Sequence, residues 1–398
     1  MNEWKEYTVE EISSNAKYAL STGPFGSAIS SKFFKKEGVP VIRGGNLSPA
    51  VGKRLNDNGL VFLDHAKAEG FQRSVARRGD LVFTCWGTIN QVGLIDDRSQ
   101  YLEYVVSNKQ MKWTPDPKKA NAEFLYYLFS GPNKQSEILN NGIGAAVPGF
   151  NLGQLRSHVI QLPPLPEQKA IAQVLSSLDD KIDLLHRQNK TLEAIAETLF
   201  RQWFIEEAQD DWHRGTLKDE FDFTMGQSPP GSSFNDERIG MPMFQGNADF
   251  GFRFPNARVY TTEPKRMAGA MDTLISVRAP VGAQNMAYEI CCIGRGVAAF
   301  RYKRSSNFYT YTYFKMHSLM AEIKQFNNEG TIFGAISKSD FNTLVTVIPP
   351  SELIEAFESK AKPLNDKVIG NCRQIQTLEK LRDNLLPKLI SGKVRLIE

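Results

Sequence analysis

The chain has 398 residues, 41% of them hydrophobic and 11% aromatic, which suits two to three cored domains of roughly 150 residues each and excludes global disorder. Lys and Arg number 48 against 44 Asp and Glu, a net charge of +4, too small by itself to argue for nucleic acid. No apolar run of about eighteen residues exists, so no membrane span and no membrane partner is expected. The polar, acidic start is wrong for a secretory signal, and Cys85, Cys291, Cys292 and Cys372 are too few and too scattered for a disulfide framework or zinc site. A reducing cytoplasm is the expected location.

The first globular part, 1–160, reads as β-rich with short helices. Glycine-rich loops span Ser21–Gly26, Arg43–Asn46 and Gly142–Gly153. Gly79–Thr84 reads as a turn followed by a strand, and β-branched Val159–Leu162 closes the part as another. Phe124–Phe129 suits a helix packed by its aromatics. Basic residues collect as Lys32, Lys35, Lys36 and Arg43, and again as Arg73, Arg77 and Arg78. Such groups can neutralise phosphates or simply form a solvated face. The loop Thr84–Gln91 offers Trp86, Asn90 and Gln91, and the amides could meet adenine edges. A buried turn is the competing reading. Asn46 joins the candidate set.

The next segment, 161–210, is helical. Its apolar positions are Ile171, Leu175, Leu178, Ile182, Leu185, then Asn189, then Leu192, Ala196, Leu199 and Trp203. Steps of four and three alternate without a break, which is a heptad seam. Pro163, Pro164 and Pro166 punctuate its start, and Glu167 lies where the helix dipole favours an acid. Ile171–Trp203 is 33 residues, a helix of roughly 50 Å at 1.5 Å per residue. That exceeds what one small domain needs to cover itself.

The second globular part, 211–348, repeats these signals. Gly226–Gly231 and Gly330–Gly334 are glycine-rich; Met271–Val277 and Val345–Ile348 read as strands, Tyr309–Phe314 as a helix. Arg295, Arg301, Lys303 and Arg304 lie in one stretch without an acid. Gln245, Asn247 and Arg278 complete the candidate nucleic-acid contacts. The last segment, 349–398, carries a second seam: Phe357, Ala361, Leu364, Val368, Asn371, Ile375, Leu378, Arg382, Leu385 and Leu389. Pro363 is expected to break or bend this helix. Each seam holds one central Asn, a residue that costs stability but fixes register.

The two halves are copies. Gln161–Pro164 matches Val347–Pro350, and Asp180-Lys181-Ile182 matches Asp366-Lys367-Val368, at a constant offset of 186. Upstream the offset grows to 192 (Asp80 with Asp272), 201 (Gly45-Asn46 with Gly246-Asn247) and 208 (Trp4 with Trp212). The first globular part therefore carries insertions, while the helices keep their length. The fold class expected is α+β: two β-rich domains in tandem, separated by two long helices forming an antiparallel intramolecular coiled coil. Its domains are 1–160, 161–210, 211–348 and 349–398.

Catalytic signatures are missing. No phosphate-binding Gly-x-x-x-x-Gly-Lys loop and no Asn/Asp-Pro-Pro-aromatic motif of an amino-methyltransferase is present. Asp116 beside Lys118 and Lys119 only faintly suggests a nuclease centre. A recognition scaffold without catalysis is expected; a protein-interaction scaffold that never touches DNA is the alternative.

Leu162-Pro163-Pro164-Leu165-Pro166-Glu167-Gln168, followed by Ile171-Ala172, Leu175 and Asp179–Ile182, resembles the specificity subunit of Type I restriction-modification enzymes. So does the second copy, from Ile348-Pro349-Pro350 to Leu385–Gly392, although Ser351-Glu352-Leu353 replaces the Leu-Pro-Glu of the first. The resemblance covers the whole chain. It implies that each globular part is a target-recognition domain reading half of a split sequence in double-stranded DNA. The coiled coil would set the spacer and dock two methyltransferase (modification) subunits, joined by restriction/translocase subunits, in DNA modification and phage defence. It implies no catalysis and no cofactor in this chain: S-adenosylmethionine, Mg2+ and ATP would be bound by the partner subunits.

Overall fold

In the computed structural model, which describes residues 4–143, 148–325 and 335–396, the first heptad run is one unbroken helix, α1, Leu165–Arg201. It ends in a wider turn over Gln202–Glu206. The second run is α2, Ser351–Ile390, 40 residues long. The chain forms two compact units, Met1–Asp183 with Gln376–Glu398, and Leu184–Ile375. Each long helix thus gives one half to each unit.

Within both units the helix halves run antiparallel. In the first, Ile171, Ala172 and Leu175 of α1 share a core with Leu386 and Leu389 of α2, and Asp179 bonds Arg382. In the second, Ala196 and Phe200 share a core with Ile354, Phe357 and Ala361, and Asn189 bonds Asn371. Of the seam residues, Ile171, Leu175, Ile182, Leu185, Asn189, Val368, Asn371 and Ile375 are buried. Leu178, Leu192, Leu199, Leu378 and Leu385 are half-buried. A heptad stripe is therefore the helices' inner face, as period 3.5 requires. The break expected at Pro363 does not occur, since α2 runs through it. Pro363 and Ser359, whose carbonyl loses its helical donor, are both exposed, so water can satisfy the freed group.

The two globular parts have one topology, built twice. In the first, Lys5–Thr8 pairs antiparallel with Val159–Leu162. One sheet runs in the order Leu20–Thr22, Gln110–Trp113, Leu81–Thr84, Val92–Leu94. The other runs Val61–Leu63, Val39–Ile42, Glu103–Val106, Val75–Arg77, and its central pair is parallel. The second unit repeats this. His213–Thr216 pairs with Val345–Ile348. Phe221–Met225, Val297–Tyr302, Thr273–Ser276 and Gln284–Met286 form one sheet. Val259–Thr261, Met241–Phe244, Cys291–Ile293 and Met267–Ala268 lie in the other, with Phe234–Asn235 added at its edge. Met241–Phe244 and Cys291–Ile293 are again parallel.

The helices match too. Ala122–Ser130 buries Phe124, Tyr126, Tyr127 and Phe129, as Tyr309–Ser318 buries Tyr311, Tyr313 and Phe314. Leu152–Ser157 starts with a capping box of Asn151 and Gln154; Lys338–Thr343 starts with one of Ser337 and Asp340. The glycine-rich run Gly330–Gly334, and Gly144 to Val147 within Gly142–Gly153, lie outside the described residues.

One pairing read from the sequence changes. Asn46 Oδ1 accepts from the Arg43 backbone N–H at 3.0 Å, and Asp249 Oδ2 accepts from that of Gln245 at 2.7 Å. The structural counterpart of Asn46 is therefore Asp249, and not Asn247. The turn in the second copy is one residue longer, which a gap-free comparison of Gly-Asn pairs misses.

Candidate nucleic-acid interface

Parallel strands deliver their following loops to one edge of a sheet. In the second unit, Met241–Phe244 and Cys291–Ile293 end side by side, and the Gly294 N–H donates to Phe244 O at 2.8 Å. This brings Gln245–Asn247 beside Arg295. Thr273–Ser276 pairs with Val297–Tyr302, and the Val277 N–H donates to Gly296 O at 2.9 Å. The loop carrying Arg278 is thereby drawn to the same edge. Gln245, Asn247, Arg278 and Arg295, far apart in sequence, line one cleft of about 510 Å³ with Arg258. All four sequence candidates are exposed. Arg258 escaped sequence reading because it stands as a single cation between Ala257 and the strand Val259–Thr261; only strand pairing places it here. Its guanidinium is held by Asp249 Oδ1 at 2.5 Å and by the Ala248 carbonyl at 3.1 Å. It thus positions the Asn247 turn as well as adding charge.

The remaining candidates of this unit divide. Arg301 makes a two-pronged ion pair with Asp272, at 2.6 and 2.9 Å. Burial pushes the Asp272 carboxyl above its ordinary value, and Arg301 pulls it back down. That arginine is committed to holding the fold. Lys303 is exposed but its ammonium donates to the Lys218 carbonyl, and Arg304 is exposed.

The first unit has the same edge. The Ser107 N–H donates to Ile42 O at 2.9 Å and the Cys85 N–H to Lys109 O at 2.7 Å. Arg43 and Trp86 therefore occupy the places of Gln245 and Arg278. Arg43 is half-buried, reaches the Gly59 carbonyl at 3.2 Å and lies 5.7 Å from the centre of the Phe34 ring. Trp86 is 48% exposed. Asn90 is half-buried. Two amides expected to reach bases are spent internally. Asn46 is buried and also donates to Asn56 O at 2.9 Å; Gln91 accepts from Thr84 at 3.0 Å and donates to Leu47 O at 3.1 Å. Their polar atoms hold loops, which is the buried-turn reading. A side-chain amide in a loop gives no sequence signal that separates the two roles.

The basic groups of this unit lie on its surface. Lys32, Lys35, Lys36 and Arg73 are exposed. Lys32 stands 4.9 Å over Phe33, and Arg73 5.9 Å from the centre of Phe25, contacts that pair cations with rings. Arg77 and Arg78 are exposed but paired with Glu103 at 3.0 Å and Asp97 at 2.8 Å. Asp116 caps its own turn, accepting from the Lys118 N–H at 3.0 Å. Among the described residues no three His, Cys, Asp or Glu side chains are grouped to hold a metal, and no helix is long and apolar enough to cross a membrane.

Fold and site together define a tandem recognition protein, one loop-bearing sheet edge built twice with different side chains. Residues 1–194 match the family model of the Type I restriction modification DNA specificity domain. The chain is 29% identical over 384 residues to a Methanocaldococcus jannaschii protein assigned as the MjaX type I restriction enzyme specificity subunit, covering 90% of this chain and 88% of that one. It is 21% identical to the HindI specificity subunit of Haemophilus influenzae, covering 99% and 100%. The fold is also that of a Type I system S subunit from M. genitalium, with a TM-score of 0.63 at 18% identity, covering 97% and 96%. Over nearly its whole length the chain is thus similar to the specificity subunits of Type I restriction-modification enzymes, the subunits that recognise DNA target sequences.

Proposed function

We propose that each β-rich unit reads one half of a bipartite sequence in double-stranded DNA, and that α1 and α2 set the spacer between the halves. Two methyltransferase subunits dock on this chain, and restriction/translocase subunits join them in the cytoplasm. S-adenosylmethionine, Mg2+ and ATP belong to those partners. The observation that carries the reading is the repeated sheet edge with unlike side chains: Gln245, Arg278 and Arg295 in one unit, Arg43, Trp86 and Asn108 in the other, Asn108 following Ser107 as Arg295 follows Gly294. Identical scaffolds with different loop chemistry suit two different half-sites. The modest net charge suits a reader whose partners share the phosphate contacts.

The test is co-expression with a cognate modification subunit, followed by sequencing of modified DNA. Methylated adenines within one split motif are expected. Methylation with no common split motif would overturn the reading. Inserting four residues after Asn189 with a matching insertion near Ile375 should lengthen the tolerated spacer.

A further inference from the structure

Resting on that reading, we propose that Trp86 and Arg278 occupy the single base-reading position common to both units, Arg278 taking a guanine edge and Trp86 the methyl face of a thymine. The equivalence is structural. Each follows the residue whose backbone N–H closes on the neighbouring loop, Cys85 on Lys109 and Val277 on Gly296. Each also makes an isolated antiparallel bridge to the loop that precedes a capped helix: Trp86 with Gly149, and Arg278 with Ala335. Both steps reproduce the offsets of the sequence repeat, 192 and 186.

Neither side chain has the surroundings of a structural residue. Trp86 is 48% exposed on a unit that buries Trp113 completely. Its ring lies across Gly149, where an added Cβ would meet ring carbon Cζ3 at 2.5 Å. The glycine thus gives the indole a flat seat at the surface and leaves its other face to solvent. Arg278 is exposed in the cleft it shares with Gln245, Asn247, Arg258 and Arg295, and it has no ion pair among the described residues. Arg258, by contrast, is already tied to Asp249.

The chemistries differ where the scaffold does not. A planar guanidinium fork matches guanine O6 and N7 in the major groove, which a lysine ammonium meets only as a flexible point charge. An indole offers no acceptor and a broad apolar face, suited to the thymine methyl. One position in two copies then reads G·C in one half-site and A·T in the other.

The complex of this chain with its modification subunits, expressed in a host without adenine methylation of its own, supplies the test. The wild-type methylome comes first, and absence of a split motif there would sink the functional reading and not this assignment. Given a motif, Arg278→Ala should cut discrimination at one G·C pair of one half by about tenfold or more, leaving the other half unchanged. Arg278→Lys should cut it less, because lysine can still reach guanine O6 and N7 but lacks the planar fork. Trp86→Ala should relax one A·T pair of the opposite half, and Trp86→Arg should turn that preference towards G·C. Motifs unchanged by Arg278→Ala and Trp86→Ala overturn the proposal. So does loss of all methylation by complexes that still assemble by size-exclusion chromatography. If Trp86→Ala fails to assemble, the two Arg278 variants, on an exposed side chain, decide it.

Discussion

Asn371 Nδ2 donates to Asn189 Oδ1 at 2.8 Å, joining the one asparagine of each heptad seam inside the second unit. Both side chains are buried, and Asn189 Nδ2 points at Cys372 Sγ, 3.6 Å away. A buried amide pair is satisfied only when the two helices are aligned at this level, so it selects register at some cost in stability. Asn189→Leu strands the Asn371 amide and should lower stability by about 1–3 kcal/mol. Replacing both by Leu should bring the denaturation midpoint to wild type or above. A double variant less stable than either single one would refute a register role.

In the first unit the corresponding polar contact is ionic. Arg382 Nη1 lies 2.8 Å from Asp179 Oδ1, and Tyr127 donates to the other Asp179 oxygen at 2.6 Å. Side-chain exposure is 10% for Arg382 and 3% for Asp179. Removing one partner of so buried a pair leaves a bare charge, so Arg382→Ala should cost about 3–5 kcal/mol. Asp179→Leu with Arg382→Met should recover most of it in urea denaturation. Gly52 presses on the same pair: its φ is +82°, and an added Cβ would meet Asp179 Oδ1 at 2.6 Å. Gly52→Ala should therefore destabilise the protein although it removes no contact.

Two arginines of one basic stretch should behave oppositely. Arg295 lines the cleft, whereas Arg301 is bound to Asp272, whose side chain is 10% exposed. Arg295→Ala should weaken DNA binding by the assembled complex alike on all sequences and reduce the salt slope by about one, with the melting temperature unchanged. Arg301→Ala should lower the melting temperature instead. Burial already holds the Asp272 pKa above its ordinary value. A raised carboxyl pKa favours the protonated native state, so the loss should be largest at neutral pH and shrink as the solution is acidified. Calorimetry at pH 7 and pH 5 separates the two variants.

Much of the architecture was legible because it is periodic. The seam from Ile171 to Leu199, the closing strands Val159–Leu162 and Val345–Ile348, and the duplication itself all repeat in sequence. The continuity of α2 through Pro363 was not legible, since a local propensity is overridden by packing on both sides of it. The site was half legible. Composition marks Arg278 and Arg295, but which cations converge depends on parallel pairing between Met241–Phe244 and Cys291–Ile293, residues nearly fifty apart in the chain. Asn46 and Gln91 show the opposite failure, since amides able to read bases are equally able to hold loops.

The cysteines give a chemical probe of both cores. Burial pushes the Cys85 and Cys291 thiols up to about 12, and Cys372 up to about 11. The thiolate is the nucleophile, and at pH 8 a thiol of pKa 12 is ionised in only about one molecule in ten thousand. Iodoacetamide at pH 8 should therefore leave these three unmodified in the folded protein and label them promptly in denaturant. Because the folded values are raised, the stability linked to these thiols is fully present below about pH 9 and is lost as pH rises towards 11 and 12. Cys85→Ala should flatten that alkaline decline in the urea midpoint. Fast labelling of Cys85 in the native protein would mean that the sheet edge beside Trp86 opens to solvent, and the indole's fixed seat on Gly149 would fall with it.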